Sequence, residues 1–139
     1  MQINNYNILF VDDDIYLLDL FKKWCDKYFT NHNFTFKNEF SCKDILNGNY
    51  DILVCDYYLN GVTPEKYIKK IREFNDKIII LVISGSLVID CFKNSKCYNN
   101  PLLHEVIRNG ANNVCEKDIT KILELLKLHI SVRNNNYQS

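Results

Sequence analysis

The chain has 139 residues, of which 47% are apolar, and its 17 basic and 17 acidic side chains give a formal net charge of zero. This composition predicts one domain, residues 1–139, with a core at 6–132 and a polar tail at 133–139. A zero net charge argues against direct binding of nucleic acid, because phosphate backbones are held by an excess of Lys and Arg. The longest apolar run, 78–83, is far shorter than the roughly 18 residues that span a bilayer. Since no secretory signal is recognisable either, a cytoplasmic protein without membrane contact is expected.

Six cysteines are predicted to be reduced thiols, because none of them forms a C-x-x-C pair. One alternative is that Cys91, Cys97 and His104 meet at a metal ion, or that the two thiols form a redox pair.

Short β-branched segments alternate with segments of helical periodicity along the whole chain. Five strands are predicted, at 8–11, 34–36, 51–56, 77–83 and 114–115. Five helices are predicted, at 15–28, 41–48, 64–74, 103–109 and 120–132. Asp14 and Ser41 are expected to cap the first two helices, Thr63 the third with Pro64 in its first turn, and Gly110 to end the fourth.

Five strands alternating with five helices are too few for an eight-stranded barrel and predict an open, doubly wound parallel sheet of α/β class. Functional groups in such sheets lie at the carboxyl ends of the strands. Four of the predicted strands end at residues capable of chemistry, namely Asp12 and Asp13, Asp56, Ser84, and Lys117.

Carboxylates gathered at one edge of a sheet repel one another unless a cation lies among them. A divalent ion with oxygen ligands is favoured, and Mg²⁺ is the leading candidate because it binds carboxylates together with phosphate oxygens. Lys117 would then balance the charge of a phosphoryl group, and the Ser84 hydroxyl would donate to one of its oxygens. Asp56, alone at the end of its strand, is the predicted nucleophile that accepts this group.

With these residues in order, the chain resembles the receiver domain of two-component response regulators over essentially its whole length. The matching segments are 10–14, 52–56, 79–84, 109–111 and 114–117. The resemblance implies a flavodoxin-like fold with strand order 2-1-3-4-5. It also implies that Asp56 takes a phosphoryl group from a histidine kinase or a histidine phosphotransfer protein. Mg²⁺ would be held by Asp12, Asp13, Asp56 and the backbone carbonyl of Tyr58, while Ser84 and Lys117 contact the phosphoryl group.

The sequence departs from the family pattern at several positions. Asn60 and Pro64 replace a Pro and a Gly of the loop that follows the acceptor. Asp118 replaces a cis-configured Pro, so a trans peptide bond is expected there. Val114 stands where the family has an aromatic switch residue. The interval from Ser84 to Lys117 is longer than usual, with the surplus within 87–102.

The output is expected to be a protein contact made by a stand-alone receiver that is not an enzyme, apart from its own phosphorylation and slow dephosphorylation. The last helix has more apolar positions than one stripe requires, which favours either a homodimer through this helix or its coverage by segment 87–102. One alternative function is a degenerate receiver that docks without phosphorylation. Another is a haloacid-dehalogenase-like phosphatase with Asp12 as nucleophile and Asp14 as general acid, which would leave Asp56 without a role.

Overall fold

The computed structural model describes residues 5–39, 41–57, 59, 64–85 and 101–138, except for the side chains of 101–103 and 134–138. Within these residues, strands and helices alternate as the sequence predicts. The strands are β1 (Asn7–Val11), β2 (Asn33–Lys37), β3 (Ile52–Asp56), β4 (Ile79–Ser84) and β5 (Asn113–Glu116). The helices are α1 (Ile15–Tyr28), α2 (Cys42–Gly48), α3 (Glu65–Phe74), α4 (Pro101–Arg108) and α5 (Ile119–Gln138).

The five strands form one parallel sheet in the order β2-β1-β3-β4-β5, which confirms the predicted topology. The central strand β3 is buried along its whole length. Its continuous apolar sequence is typical of a parallel strand covered by helices on both faces.

The helices divide between the two faces of the sheet. On one face, buried residues of α1 and α5 pack on the strands; these are Leu18, Phe21, Cys25, Ile122, Leu123, Leu126 and Ile130. On the other face, α2, α3 and α4 contribute Ile45, Ile68, Ile71 and Val106. Two apolar layers of this kind leave the carboxyl ends of the strands as the place where polar side chains meet.

Local signals explain where several helices begin and end. Asp14 caps α1, since its Oδ1 accepts a hydrogen bond from the Leu17 amide at 3.2 Å. The Ser41 hydroxyl caps α2 by accepting from the Asp44 amide at 3.3 Å. Gly110 follows α4 with φ of +121°, a conformation that glycine adopts without steric cost. These three predictions are confirmed.

Two predicted boundaries in the middle of the chain are corrected. Helix α3 begins at Glu65, and Pro64 precedes its first turn instead of lying within it, while Thr63 lies outside the described residues. Strand β4 begins at Ile79 and not at Lys77, because the Asn75 side chain accepts the amide hydrogens of residues 77 and 78 in a turn.

The last helix is also longer than predicted. It begins at Ile119 and runs to Gln138, so the predicted polar tail from 133 onward is helical as far as residue 138. Asp118 caps this helix, accepting from the Lys121 amide at 3.1 Å. The residues of this extension show no apolar periodicity, so the sequence pattern did not predict it. Adding residues to a formed helix costs little free energy. Arg133 also donates a hydrogen bond to the Asp51 carbonyl at 3.2 Å.

The cysteines within the described residues are free thiols. Burial raises the pKa of Cys25 and of Cys55 to about 12 and that of Cys115 to about 11, which suppresses thiolate reactivity. Cys91 and Cys97 of the alternative metal site lie outside the described residues, while His104 is exposed. Among the described helices, none is both long and apolar enough to cross a membrane.

Candidate acidic site at the carboxyl edge of the sheet

Charged side chains at the carboxyl ends of three strands lie close together. Asp12 follows β1, Asp56 is the last residue of β3, and Lys117 follows β5. The Lys117 ammonium nitrogen lies 3.0 Å from Asp12 Oδ2 and 3.1 Å from Asp56 Oδ2. Residues 61 and 105 positions apart in sequence therefore form a single ion-pair network.

This network is held away from water, since Asp12 is 1% exposed and Asp56 is 6% exposed. Burial raises the pKa of both carboxyls, and the charge of Asp12 raises that of Asp56 further, while Lys117 opposes both effects. Burial by itself would lower the pKa of Lys117, but its two carboxylate partners outweigh that effect and raise it. The single ammonium thus only partly balances the charge of the two buried carboxylates.

The acidic residues fit a divalent cation. Carboxylate oxygens of Asp12, Asp13 and Asp56 lie within 4.8 Å of one another. The Lys117 ammonium donates a hydrogen bond to Asp12 Oδ1 at 3.3 Å. Asp12 Oδ2 is buried and lies 3.0 Å from the same ammonium, but within the described residues this ion-pair contact lacks hydrogen-bond geometry. The ammonium that faces this buried oxygen is shared with Asp56, so its charge is only partly balanced, and hard oxygen ligands are those that Mg²⁺ and Ca²⁺ prefer.

Ser84 lies at the same edge. It ends β4 and is 4% exposed, and its backbone carbonyl accepts a hydrogen bond from the Lys117 amide at 2.9 Å. The register pairs it with Glu116, the residue immediately before Lys117. Strand pairing therefore fixes the backbones of these two predicted phosphoryl-contacting residues relative to each other. Tyr58, whose carbonyl is the fourth predicted metal ligand, lies outside the described residues.

A tight turn after β1 orients the first carboxylate. The Asp14 amide donates to Asp12 Oδ1 at 2.8 Å, while the Asp14 side chain is engaged with the Leu17 amide as the cap of α1. The carboxylate of Asp14 is therefore committed to the helix, although the phosphatase alternative needs it as a general acid. Asp56, which that alternative leaves without a role, lies instead within the ion-pair network.

Two supporting residues were missed by the sequence reasoning. Tyr57, directly after Asp56, is buried; its amide donates to the Ile83 carbonyl at 2.8 Å and its hydroxyl to Glu65 at 3.1 Å. It thereby connects the end of β3 to the first turn of α3. Asp118 caps α5 directly after Lys117 through a trans peptide bond, as expected for a residue replacing Pro. In the sequence, the capping role of Asp118 could have been indicated only by its position directly before an apolar helical pattern.

No protein-family model and no curated protein matches the chain. Many solved structures do. A CheY-like response regulator receiver domain protein from Methanospirillum hungatei JF-1 superposes with a TM-score of 0.73 at 16% identity, over 96% of this chain and 99% of that one. The signal receiver domain of a DNA binding response regulator from Colwellia psychrerythraea 34H gives 0.72 at 16% identity, over 91% and 99%.

A response regulator protein from Burkholderia pseudomallei, solved with a phosphorylated aspartic acid, a calcium ion and citrate, gives a TM-score of 0.68 at 15% identity. The match covers 96% of this chain and 73% of that chain. The order of the strands, the division of the helices between the faces and these similarities lead to one conclusion. The chain has the fold of the response-regulator receiver domain.

Proposed function

We propose that this chain is a receiver in a two-component or phosphorelay pathway and accepts a phosphoryl group on Asp56. The observation that carries the proposal is the convergence of two buried carboxylates and Lys117 at the carboxyl edge of a receiver-type sheet. The neighbour from Burkholderia pseudomallei, which has a phosphorylated aspartic acid and a calcium ion, supports the same chemistry. A histidine kinase or a histidine phosphotransfer protein would be the donor.

In the proposed transfer, a carboxylate oxygen of Asp56 forms a bond to phosphorus while the P–N bond of the donor phosphohistidine breaks, and its electron pair stays on the imidazole. Lys117 balances the negative charge that accumulates on the phosphoryl oxygens, and the Ser84 hydroxyl donates to one of them. Asp12, Asp13 and Asp56, with the carbonyl of Tyr58, would hold Mg²⁺, which supplies further positive charge to those oxygens.

The product carries about two additional negative charges at Asp56. We propose that Lys117 and Ser84 turn toward the new group and that the loops bearing them change the surface presented to a downstream protein in the cytoplasm. Leu128 and Val132 of α5 are half exposed, which supports a contact with that target or with a second copy of the chain. In this proposal the chain is a phosphoacceptor and not an enzyme with sustained turnover.

Intact-mass spectrometry tests the proposal. The wild-type protein is incubated with acetyl phosphate, with Mg²⁺ and with a chelator, alongside Asp56→Asn and the matched control Asp76→Asn, which changes an exposed aspartate. Wild type and Asp76→Asn should gain one phosphoryl group only when Mg²⁺ is present, and Asp56→Asn should gain none.

A gain by Asp56→Asn would overturn the assignment of the acceptor. Failure of every variant to gain a phosphoryl group, from acetyl phosphate or from a phosphorylated histidine phosphotransfer protein, would favour a domain that docks without phosphorylation. Continuous release of inorganic phosphate that is blocked by Asp12→Asn but not by Asp56→Asn would favour a phosphatase.

A further inference from the structure

A groove of about 1230 Å³ runs between α1 and β2, and the residues placed in the acidic site do not line it; we call it the edge groove. Its lining includes four apolar side chains, which we call the floor: Leu18 of α1, Phe29 directly after α1, and Phe34 and Phe36 of β2. The two β2 aromatics are only partly buried, although they pack against Phe10 of the core at ring-centroid distances of 6.1 and 5.3 Å.

Among the strands that the structure describes, β2 pairs with β1 alone, so the strand beside this groove is the edge of the described sheet. The Asn33 amide donates to the Tyr6 carbonyl and the Asp12 amide donates to the Lys37 carbonyl, so residues 33 and 37 face β1. Peptide groups of alternate residues point to opposite sides of a strand, and Phe34 and Phe36 therefore direct their N–H and C=O groups outward. The described part of the chain supplies no hydrogen-bond partner to these groups.

The rim of the groove is acidic. Asp19 and Asp26 of α1 are exposed along it, Glu39 lies beyond the end of β2, and Asp44 also lines it. The lysines that line the groove are Lys22 and Lys37. Lys37 is paired with Asp44 at 2.8 Å, which leaves three acidic side chains against one lysine.

We propose that the edge groove binds an extended, basic segment of a partner protein, which adds to β2 as a sixth strand. The outward peptide groups of Phe34 and Phe36 would supply the main-chain hydrogen bonds. Alternate apolar side chains of the segment would pack on the aromatic floor, and its Lys or Arg side chains would lie against Asp19, Asp26 and Glu39.

A second copy of this chain is a less suitable occupant. Pairing β2 with itself would place the acidic rims of two copies close together, where like charges repel. The proposal is independent of phosphoryl transfer, because the edge groove contains none of the residues placed in the acidic site. Its failure would therefore leave the proposed function unaffected, and the reverse also holds.

The probe is a synthetic peptide of four Lys-Val repeats, with a Glu-Val peptide of equal length as the charge-reversed control. Titration followed by heteronuclear NMR should give a Kd below about 1 mM for the basic peptide only. Amide hydrogen exchange at Phe34 and Phe36 should slow on saturation, while Thr35, whose amide faces β1, should stay unchanged.

The double variant Asp19→Asn/Asp26→Asn should weaken binding of the basic peptide by about tenfold at low ionic strength. The matched control Glu73→Gln/Glu124→Gln removes the same charge from exposed positions outside the groove and should bind like wild type. Both double variants should still gain a phosphoryl group at Asp56 if the proposed function holds.

Three results would overturn the inference. The first is equal binding of the Glu-Val peptide, or no binding of either peptide. The second is binding without protection of Phe34 and Phe36, which would place the peptide elsewhere. The third is a dimer in sedimentation equilibrium whose formation itself protects those amides, which would make the groove an interface between two copies.

Discussion

At the scale of single residues, the charges of the acidic site stabilise the folded protein less than a simple ion pair would. Two buried carboxylates share one ammonium, so the metal-free protein retains repulsion between Asp12 and Asp56. A site of this kind fits a divalent cation and contributes little to the stability of the cation-free protein.

Asp56→Asn should accordingly stabilise the metal-free protein while abolishing acceptance of the phosphoryl group. Removing one of the two carboxylates leaves a balanced pair of Asp12 and Lys117, and the free energy of unfolding should rise by about 1 kcal/mol. Urea denaturation in the presence of a chelator measures the change, with Asp76→Asn as the control expected to lie within about 0.5 kcal/mol of wild type. A less stable Asp56→Asn protein would contradict this account of the site.

A second residue-scale prediction concerns His32. Its Nδ1 accepts a hydrogen bond from the Tyr6 amide at 3.1 Å, and burial lowers its pKa below the ordinary value of 6.5. The unfolded chain then binds the proton more readily than the folded one. The contribution of His32 to the free energy of unfolding is therefore fully present above the unfolded pKa, and it is lost as the pH falls through 6.5 toward the folded pKa.

Unfolding of wild type and His32→Gln, followed between pH 7.5 and 5.5, tests this sign. The wild-type protein should lose stability over the window, and His32→Gln should lose less. His129, whose pKa is also lowered by burial, accounts for part of the remaining slope. Identical slopes for wild type and His32→Gln would show that the imidazole does not couple folding to pH.

At the scale of elements, the turn between α4 and β5 is closed by Arg72 of α3. Its guanidinium donates to the Gly110 carbonyl at 2.8 and 3.0 Å, to the Ile78 carbonyl at 2.6 Å and to the Asn112 side chain at 2.8 Å. One side chain therefore connects α3, the start of β4 and the turn before β5, at the end of the sheet opposite the acidic site.

Gly110→Ala should destabilise the protein by about 2 kcal/mol, because φ of +121° is strained for alanine and the added Cβ would lie 2.6 Å from Arg72 Cγ. The matched control is Gly85→Ala, where an added Cβ meets no atom of the described residues within 4 Å. Thermal unfolding of the two variants should differ clearly, and equal midpoints would show that Arg72 and the turn adjust without cost.

The cap of α5 provides a second element-scale prediction. Asp118→Ala removes the acceptor of the Lys121 amide and should cost about 1 kcal/mol, whereas Asp118→Ser retains a capping oxygen and should cost much less. Urea denaturation distinguishes the two variants. If both lose the same amount, the contribution of Asp118 is electrostatic and does not depend on the capping geometry.

At the scale of the whole molecule, fold and site were predictable to different degrees. The alternation of elements, the caps at Asp14 and Ser41 and the parallel sheet could be predicted, because periodicity and capping are local properties of the chain. The ends of β4 and α5 were placed less well. A turn around Asn75 and a polar helical extension carry no apolar pattern that could reveal them.

The sequence by itself determined which residues stand at the strand ends, since each apolar run is followed directly by its polar residue. Only the tertiary structure decided that Lys117 reaches both Asp12 and Asp56, that one ammonium faces two buried carboxylates, and that an acidic groove lies along β2. The physical reason is that these contacts join segments far apart in sequence. Their distances follow from strand order, register and the packing of helices on the sheet, and no local pattern of residues records them.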